Sequence, residues 1–352
     1  MKTVVILFGG KSSEYEVSLS SASAVYANID KTKYDVRLIG ITREGKFFLF
    51  EDDFELVGKD EWMNGRVYPV SLDLSRGVFT VTRDGKVEDL RADAVFPMIH
   101  GKFCEDGTMQ GMFAVAGIPI VGCDCQSSAV CMDKVVAKSI VAVNSDIKLA
   151  KMVVVKASDV TGGDSVEKIR KECEEKLGYP MFVKPSRAGS SVGVSKVKNA
   201  DTFADALKKA LCEDDKVLIE EAIMSIGEIE VAVLEEKGKY TVGGPAQIDR
   251  GSAEFYDYET KYISDASSFF IPAKISEDLQ KQVRIYAEKI FRMLDCRGFA
   301  RVDFFCTPDG EIIFNEINTI PGFTPISMYP KMMISEGISY SDLLDRLVKT
   351  VL

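Results

Sequence analysis

The chain has one histidine, no CxxC pair and no long apolar run, and each shortage removes a class of protein. With His100 alone, mechanisms that need two imidazoles are closed, and so is a metal centre built mainly from histidine. The eight cysteines lie scattered at 104, 123, 125, 131, 173, 212, 296 and 306. Cys123, Cys125 and Cys131 cluster, but with spacers that match no zinc knuckle, so reduced and mostly buried thiols are expected. The early apolar run Val4 to Phe8 is stopped by Gly9-Gly10, far short of a signal-peptide core or a membrane span. A soluble, cytoplasmic protein that does not engage a membrane is expected. Basic charge is also in short supply. With 44 Lys+Arg against 54 Asp+Glu the net charge is −10, a field that repels nucleic acid but leaves room for a local basic cleft. No GxGxxG follows the first strand and no GxxxxGK[ST] occurs, which disfavours a Rossmann dehydrogenase and a Walker ATPase.

What is present is ordinary globular composition over 352 residues, enough for two or three domains. Val4 to Phe8 reads as a buried strand, followed by a helix start in the Ser-rich stretch 12–23. Strand-like runs at 34–41, 94–99 and 118–121, with a helical stretch at 109–116, predict an α/β unit with an open parallel sheet. One helix is expected over 127–142. Strands at 152–155, 180–183, 192–197 and 217–221, with helices at 165–176 and 200–211 between them, predict a mostly antiparallel α+β unit. Further on come a helix at 280–294, a strand pair 299–305 and 312–317 turning at Pro308-Asp309-Gly310, and a closing helix at 339–351.

Four segments can carry chemistry. Phe182 to Gly193 is a strand ending in Lys184 followed by the loop Pro185-Ser186-Arg187-Ala188-Gly189-Ser190-Ser191. Converging backbone N–H groups and hydroxyls there could cradle phosphate, although a plain Ser/Gly hairpin has the same composition. Arg301-Val302-Asp303 and Glu316-Ile317-Asn318 lie on adjacent strands. Three oxygen donors there, without Cys or His, fit a hard cation such as Mg2+ shared with phosphates, or else a solvated polar face. His100 to Thr108 and Glu14 to Ser18 each follow a strand at its C-terminal end, where α/β sheets bind ligands, so the two loops imply one shared cleft.

Taken in order, Gly9-Gly10 with Glu16-Val17-Ser18, His100-Gly101, Glu105-Asp106-Gly107-Thr108, Lys184 to Ser191, Tyr256 to Tyr262, Arg301-Val302-Asp303 and Asn315 to Gly322 resemble the D-alanine:D-alanine ligase family of the ATP-grasp superfamily. The resemblance covers nearly the whole chain. It implies a three-domain ATP-grasp fold, α/β and α+β: residues 1–122 with an open parallel sheet and the first D-alanine site, 123–223 as a central subdomain, and 224–352 as a C-terminal subdomain with lid and metal site. It implies that ATP phosphorylates one D-alanine to an acylphosphate, which the amine of a second D-alanine attacks, the dipeptide feeding peptidoglycan synthesis. By resemblance, Lys134, Lys184 and Lys261 touch ATP phosphates beneath Ser190 and Ser191. Glu220 and Ile223 border the adenine, Glu228 the ribose, and Glu221 and Asn315 also contact the nucleotide. Asp303, Glu316 and Asn318 hold two Mg2+ ions, or Mn2+, and Arg301 stabilises the tetrahedral state. Glu16 binds the ammonium of the first D-alanine, with His100 and Glu105 beside it. Ser190, Glu16 and Tyr262 form a hydrogen-bonded set that closes the lid, and Gly322, Ser327 and Met328 border the second substrate, Ser327 holding its carboxylate. A homodimer is implied as well. The chain departs from the family pattern at Cys104, at one extra residue around 224–227, at 144–150 and at Pro325-Ile326.

Three other readings stay open, one of them another ATP-grasp enzyme that activates a different carboxylate, which would leave Glu16, His100 and Ser327 unexplained. A resistance-type D-alanine:D-serine ligase shares these motifs. Lys261-Tyr262 argues against D-lactate, and an apolar Met328 where D-serine enzymes carry a basic residue argues for D-alanine. A catalytically silent ATP-grasp protein would not need Asp303, Glu316, Asn318, Lys184 and Arg301 together.

Overall fold

The structure, a computed structural model, describes residues 1–249 and 268–352. Lys261 and Tyr262, with the rest of the motif 256–262, lie outside the described residues.

Strand β1 (Lys2–Gly9) is buried on both faces after its first two residues because parallel neighbours flank it: β2 (Tyr34–Ile41) on one side and, later in the chain, Ala94–Pro97 on the other. Gly9 ends the strand at φ +85°, and a Cβ there would sit 2.2 Å from the Ile41 carbonyl oxygen, so the chain can only leave the sheet through glycine. It enters helix α1 (Tyr15–Asn28), whose Leu19, Ala22 and Val25 pack beneath the sheet. The sheet is not parallel throughout. β3 (Phe47–Phe50), a one-turn helix α2 (Glu55–Gly58), β4 (Val67–Asp73), β5 (Val78–Arg83) and β6 (Lys86–Leu90) add an antiparallel meander, and with β7 (Ala94–Pro97) the order is β6-β5-β4-β3-β2-β1-β7. Asp84-Gly85, both at positive φ, make the tight β5–β6 turn. The expected strand at 118–121 is a single bridge, Val95 to Ile120, after helix α3 (Thr108–Ala116).

The helix expected over 127–142 is two. Asp124 caps α4 (Cys125–Met132), and Asp133, with extended backbone, caps α5 (Lys134–Asn144). Strand β8 (Lys148–Leu149) then leaves for a later sheet. Strands β9 (Met152–Lys156), β10 (Met181–Pro185), β11 (Ser195–Val197) and β12 (Lys216–Glu221) form an antiparallel sheet in the order β11-β10-β12-β9. Helices α6 (Gly163–Leu177) and α7 (Phe203–Glu213) cover one face. Alternation decides what the other face carries. Met181, Val183, Val217 and Ile219 go into the helix-covered core, so Phe182, Lys184 and Glu220 turn the other way.

The third sheet runs Ser268–Phe270 (β16), Ala246–Asp249 (β15), Gly227–Glu236 (β13), Phe299–Cys306 (β17), Ile312–Asn318 (β18) and β8, with Lys239–Val242 (β14) paired to β13. Helix α8 (Glu277–Met293), α5 and α4 pack on it. The closing helices α9 (Met328–Ser335) and α10 (Tyr340–Lys349) instead join the first sheet, because Tyr329, Met332, Leu343, Leu344 and Leu347 share one core with Phe96 and Phe113. Six of the eight cysteines are buried and all are free thiols.

Candidate active site

The outward face of the second sheet and the paired strands β17 and β18 enclose a cleft of about 840 Å³ of atom-free space, partly open to solvent. Phe182, Lys184 and Glu220 line one wall, Glu228, Phe305, Asn315 and Glu316 the other. The loop Ala188 to Ser191 borders the cleft, and Glu221, Ile223, Val194 and Lys134 also line it. A mixed apolar and charged lining on this scale suits a small ligand with an anionic part.

Lys134 opens α5, where the helix start is held on three sides. The Asp133 carboxylate accepts from Val136 N at 3.2 Å and from the Ser186 hydroxyl at 2.7 Å, pairs with Lys216, and the Lys134 amide donates to Ser186 O at 3.0 Å. From that start the Lys134 ammonium reaches Ala188 O at 2.8 Å and Glu316 at 3.2 Å, tying the loop to the opposite wall. One turn on, Lys138 occupies the same helix face but is 1% exposed, and it pairs with one oxygen of Glu220 while Lys184 donates to the other at 2.7 Å. Burial by itself would raise the Glu220 carboxyl, but Lys138 and Lys184 outweigh it and pull it down to about 2. Burial lowers Lys138, while Glu220 more than offsets burial at Lys184 and holds that ammonium above its ordinary range. Glu220, expected at the adenine, lines the cleft with both oxygens already committed to lysines. Lys138 was missed by sequence reasoning; its signal was the i,i+4 spacing from Lys134.

The metal-type residues converge on one strand face. Register pairs Asp303 with Glu316 and Arg301 with Asn318, so alternation puts all four on the same side. Arg301 grips Asp303 through two N–H···O contacts of 2.8 and 2.7 Å and lies 3.4 Å from Glu230 on β13. Burial raises the Asp303 carboxyl against the pull of Arg301, with Glu316 and Glu228 adding to the rise. Asn318 Oδ1 accepts from Ile320 N at 3.1 Å. Among the described residues no three Cys, His, Asp or Glu side chains form a closed metal cage. Two carboxylates and an amide oxygen on paired strands nonetheless fit a hard divalent cation that takes its remaining ligands from phosphates and water.

The first-sheet end of the site corrects one expectation. Glu16 is exposed and accepts from Arg43 at 2.7 Å. Glu14, 6% exposed, is the acid that meets the loop. Its carboxylate accepts the Ser190 hydroxyl, and Ser190 and Ser191 both have left-handed backbones. Glu105 is buried next to it, accepting from Gly101 N at 3.1 Å, and burial followed by the Glu14 charge pushes its carboxyl well up. His100 is buried with both ring nitrogens engaged, Nδ1 on Ile320 O at 2.9 Å and Nε2 on the Ser21 hydroxyl at 3.0 Å. Burial lowers it, so the neutral ring donates from Nδ1 and accepts at Nε2, joining the first sheet to the segment after β18. In that segment Ser327 Oγ accepts from Thr324 N at 3.0 Å, and a Cβ on Gly322 would lie 2.6 Å from the same oxygen. Met328 is buried in the shared core with 9% exposure.

Family models described as D-ala D-ala ligase N-terminus and D-ala D-ala ligase C-terminus match residues 3–123 and 141–349. The chain belongs to the D-alanine–D-alanine ligase family. It is 43% identical to the D-alanine–D-alanine ligase of Clostridium novyi (99% of this chain, 97% of that protein) and 41% identical to that of Caldicellulosiruptor bescii (98% and 93%). Among solved structures it resembles the VanG D-Ala:D-Ser ligase of Enterococcus faecalis (TM-score 0.89, 41% identity, 100% of this chain and 99% of that one). It also resembles the D-alanine–D-alanine ligase of Coxiella burnetii (TM-score 0.85, 31% identity, 99% and 93%). The three-sheet α/β architecture is the ATP-grasp fold of this ligase family, and no helix among the described residues is long and apolar enough to cross a membrane.

Proposed function

We propose that the protein joins two D-alanine molecules to D-alanyl-D-alanine at the expense of ATP, through an acylphosphate of the first. The observation that carries this reading is the meeting, around one cleft, of Lys134 and Lys184 with the Glu316 wall and of the Ser190 loop with Glu14. The lysines are placed to hold phosphate oxygens, and the apolar Phe182, Ile223 and Phe305 to pack against a base. Glu14 is assigned the ammonium of the first D-alanine, with Ser190 orienting its carboxylate. The guanidinium of Arg301, held in plane by Asp303, is assigned the developing negative charge when the second amine attacks. Ser327 is assigned the carboxylate of the second substrate. Closure of the Ser190 loop on Glu14 excludes water from a hydrolysable acylphosphate. Asp303, Glu316 and Asn318 are the residues that would hold Mg2+ or Mn2+, which when bound neutralises charge on the phosphates. A homodimer is proposed as its assembly.

D-serine as second substrate is retained as an alternative, since the D-Ala:D-Ser ligase VanG is 41% identical over its near-full length, level with the D-alanine–D-alanine ligases. ATP-dependent phosphate release with D-alanine alone and with D-alanine plus D-serine, products identified by mass, separates the two. The homodipeptide as main product in both mixtures supports the proposal. Mostly D-alanyl-D-serine in the second replaces it with the alternative, and no phosphate release in either sinks both.

A further inference from the structure

We propose that Lys138, which does not line the cleft, is a positioning residue for nucleotide binding: through Glu220 it fixes Lys184 at the wall and leaves that wall one positive charge in excess. The inference rests on the reading above that the cleft takes a nucleoside triphosphate.

Fully buried lysines are rare and costly, and the other buried positions of α5 are Ala137 and Val141, so an apolar residue at 138 would pack with less penalty. Glu220 does not need Lys138 for neutrality, because Lys184 already supplies one cation at 2.7 Å. The second lysine therefore makes the triad Lys138–Glu220–Lys184 carry a net charge of +1 by sign count. With one ammonium on each oxygen, the Glu220 carboxylate is pinned from two sides, and the Lys184 ammonium it holds cannot swing away from the cleft. Lys138 is 1% exposed, so its charge is poorly screened by solvent: it acts first on Glu220, and the charge the triad carries beyond neutrality is felt in the adjoining cleft. A polyphosphate is the ligand class that gains most from such a wall. The depressed Glu220 carboxyl agrees with a carboxylate that stays ionised between two cations.

The test uses the full chain with K138M and K138R, ATP binding by calorimetry at low and high salt, melting temperature, and steady-state kinetics in which ATP and D-alanine are varied separately. K138M is expected to weaken ATP binding and raise KM for ATP by about tenfold, with a shallower salt dependence and with kcat and KM for D-alanine within about twofold of wild type. K138R is expected to stay within about threefold of wild-type ATP affinity, because it keeps the charge. ATP affinity in K138M equal to wild type overturns the inference. So does a loss of kcat and of both KM values together with a lowered melting temperature, the mark of a purely structural role. If K138M does not fold, K138R decides the matter: a tenfold loss of ATP affinity at unchanged melting temperature overturns it, and retention supports it. Failure of wild type to bind ATP at all removes the ligase reading and this inference with it, whereas the other adverse results remove this inference alone.

Discussion

Glu14 reaches Ser190 because it stands immediately before α1, where a side chain projects from the helix start toward the C-terminal end of β1. Two residues on, Glu16 lies about 200° further round the helix and meets Arg43 in solvent. The motif Glu-Tyr-Glu holds both acids, and only the helix start tells which one faces the site. E14Q should lower kcat/KM for D-alanine by about ten- to a hundredfold, the size of a lost charged hydrogen bond, while E16Q should stay near wild type. Steady-state kinetics on the two variants checks this; the reverse order would restore Glu16. Glu220 gives a pH prediction. Its carboxyl falls from the usual 4.5 to about 2 on folding, so the stability it supplies is complete above about pH 4.5 and disappears as pH falls toward 2. The gap in urea-unfolding stability between wild type and E220Q should therefore narrow between pH 5 and pH 3. A gap that stays constant over that window would show that the two lysines do not hold Glu220 ionised.

Among elements, α5 ties three groups together, since its cap Asp133, its first residue Lys134 and its buried Lys138 each hold a different part of the cleft. D133A should cost about 1–2 kcal/mol for the lost cap. Because Asp133 also anchors Ser186, it should raise KM for ATP as well. Denaturant unfolding with ATP-varied kinetics checks both, and a stability loss with unchanged KM would confine Asp133 to capping. The apolar spacing predicts an unbroken helix over 127–142 because it runs straight through Asp133, and spacing does not register a residue that leaves the helical backbone region to cap the next turn. The strands of the second sheet were legible from their β-branched runs and the turns between them, and so was the pair β17–β18. The meander β3 to β6 was not. β3 is only four residues long and β6 is largely exposed, so neither gives a long apolar run, and as antiparallel additions at a sheet edge the four strands need no long crossover to announce them.

At the scale of the whole molecule, the first sheet does not own its core. Phe299 from β17, Phe323 and the helices α9 and α10 pack into the same cluster as Phe96 and Phe113, and Phe96 lies within 6.0–6.4 Å of Phe323 and Phe299 ring to ring. His100 adds a polar tie across the same seam through Ile320. A fragment of residues 1–123 should therefore expose this face and fail to unfold cooperatively when circular dichroism is followed on heating, although a family model matches that segment. A sharp transition in the isolated fragment would show that the C-terminal residues only cover an already complete core.

The ordered motifs were enough to indicate the family and the α/β and α+β ATP-grasp fold that it implies, and they named the lysines and acids that line the cleft. Each of those rests on local pattern: alternation assigns Lys184 to a face, and paired strands assign Asp303 and Glu316 to one side. Tertiary structure alone decided that Glu14 and not Glu16 meets Ser190, that Glu220 is held between two lysines, and that Met328 sits in the core. Those facts depend on where separate elements end and how they are turned against one another. That is set by packing across the whole chain, and no stretch of sequence carries it by itself.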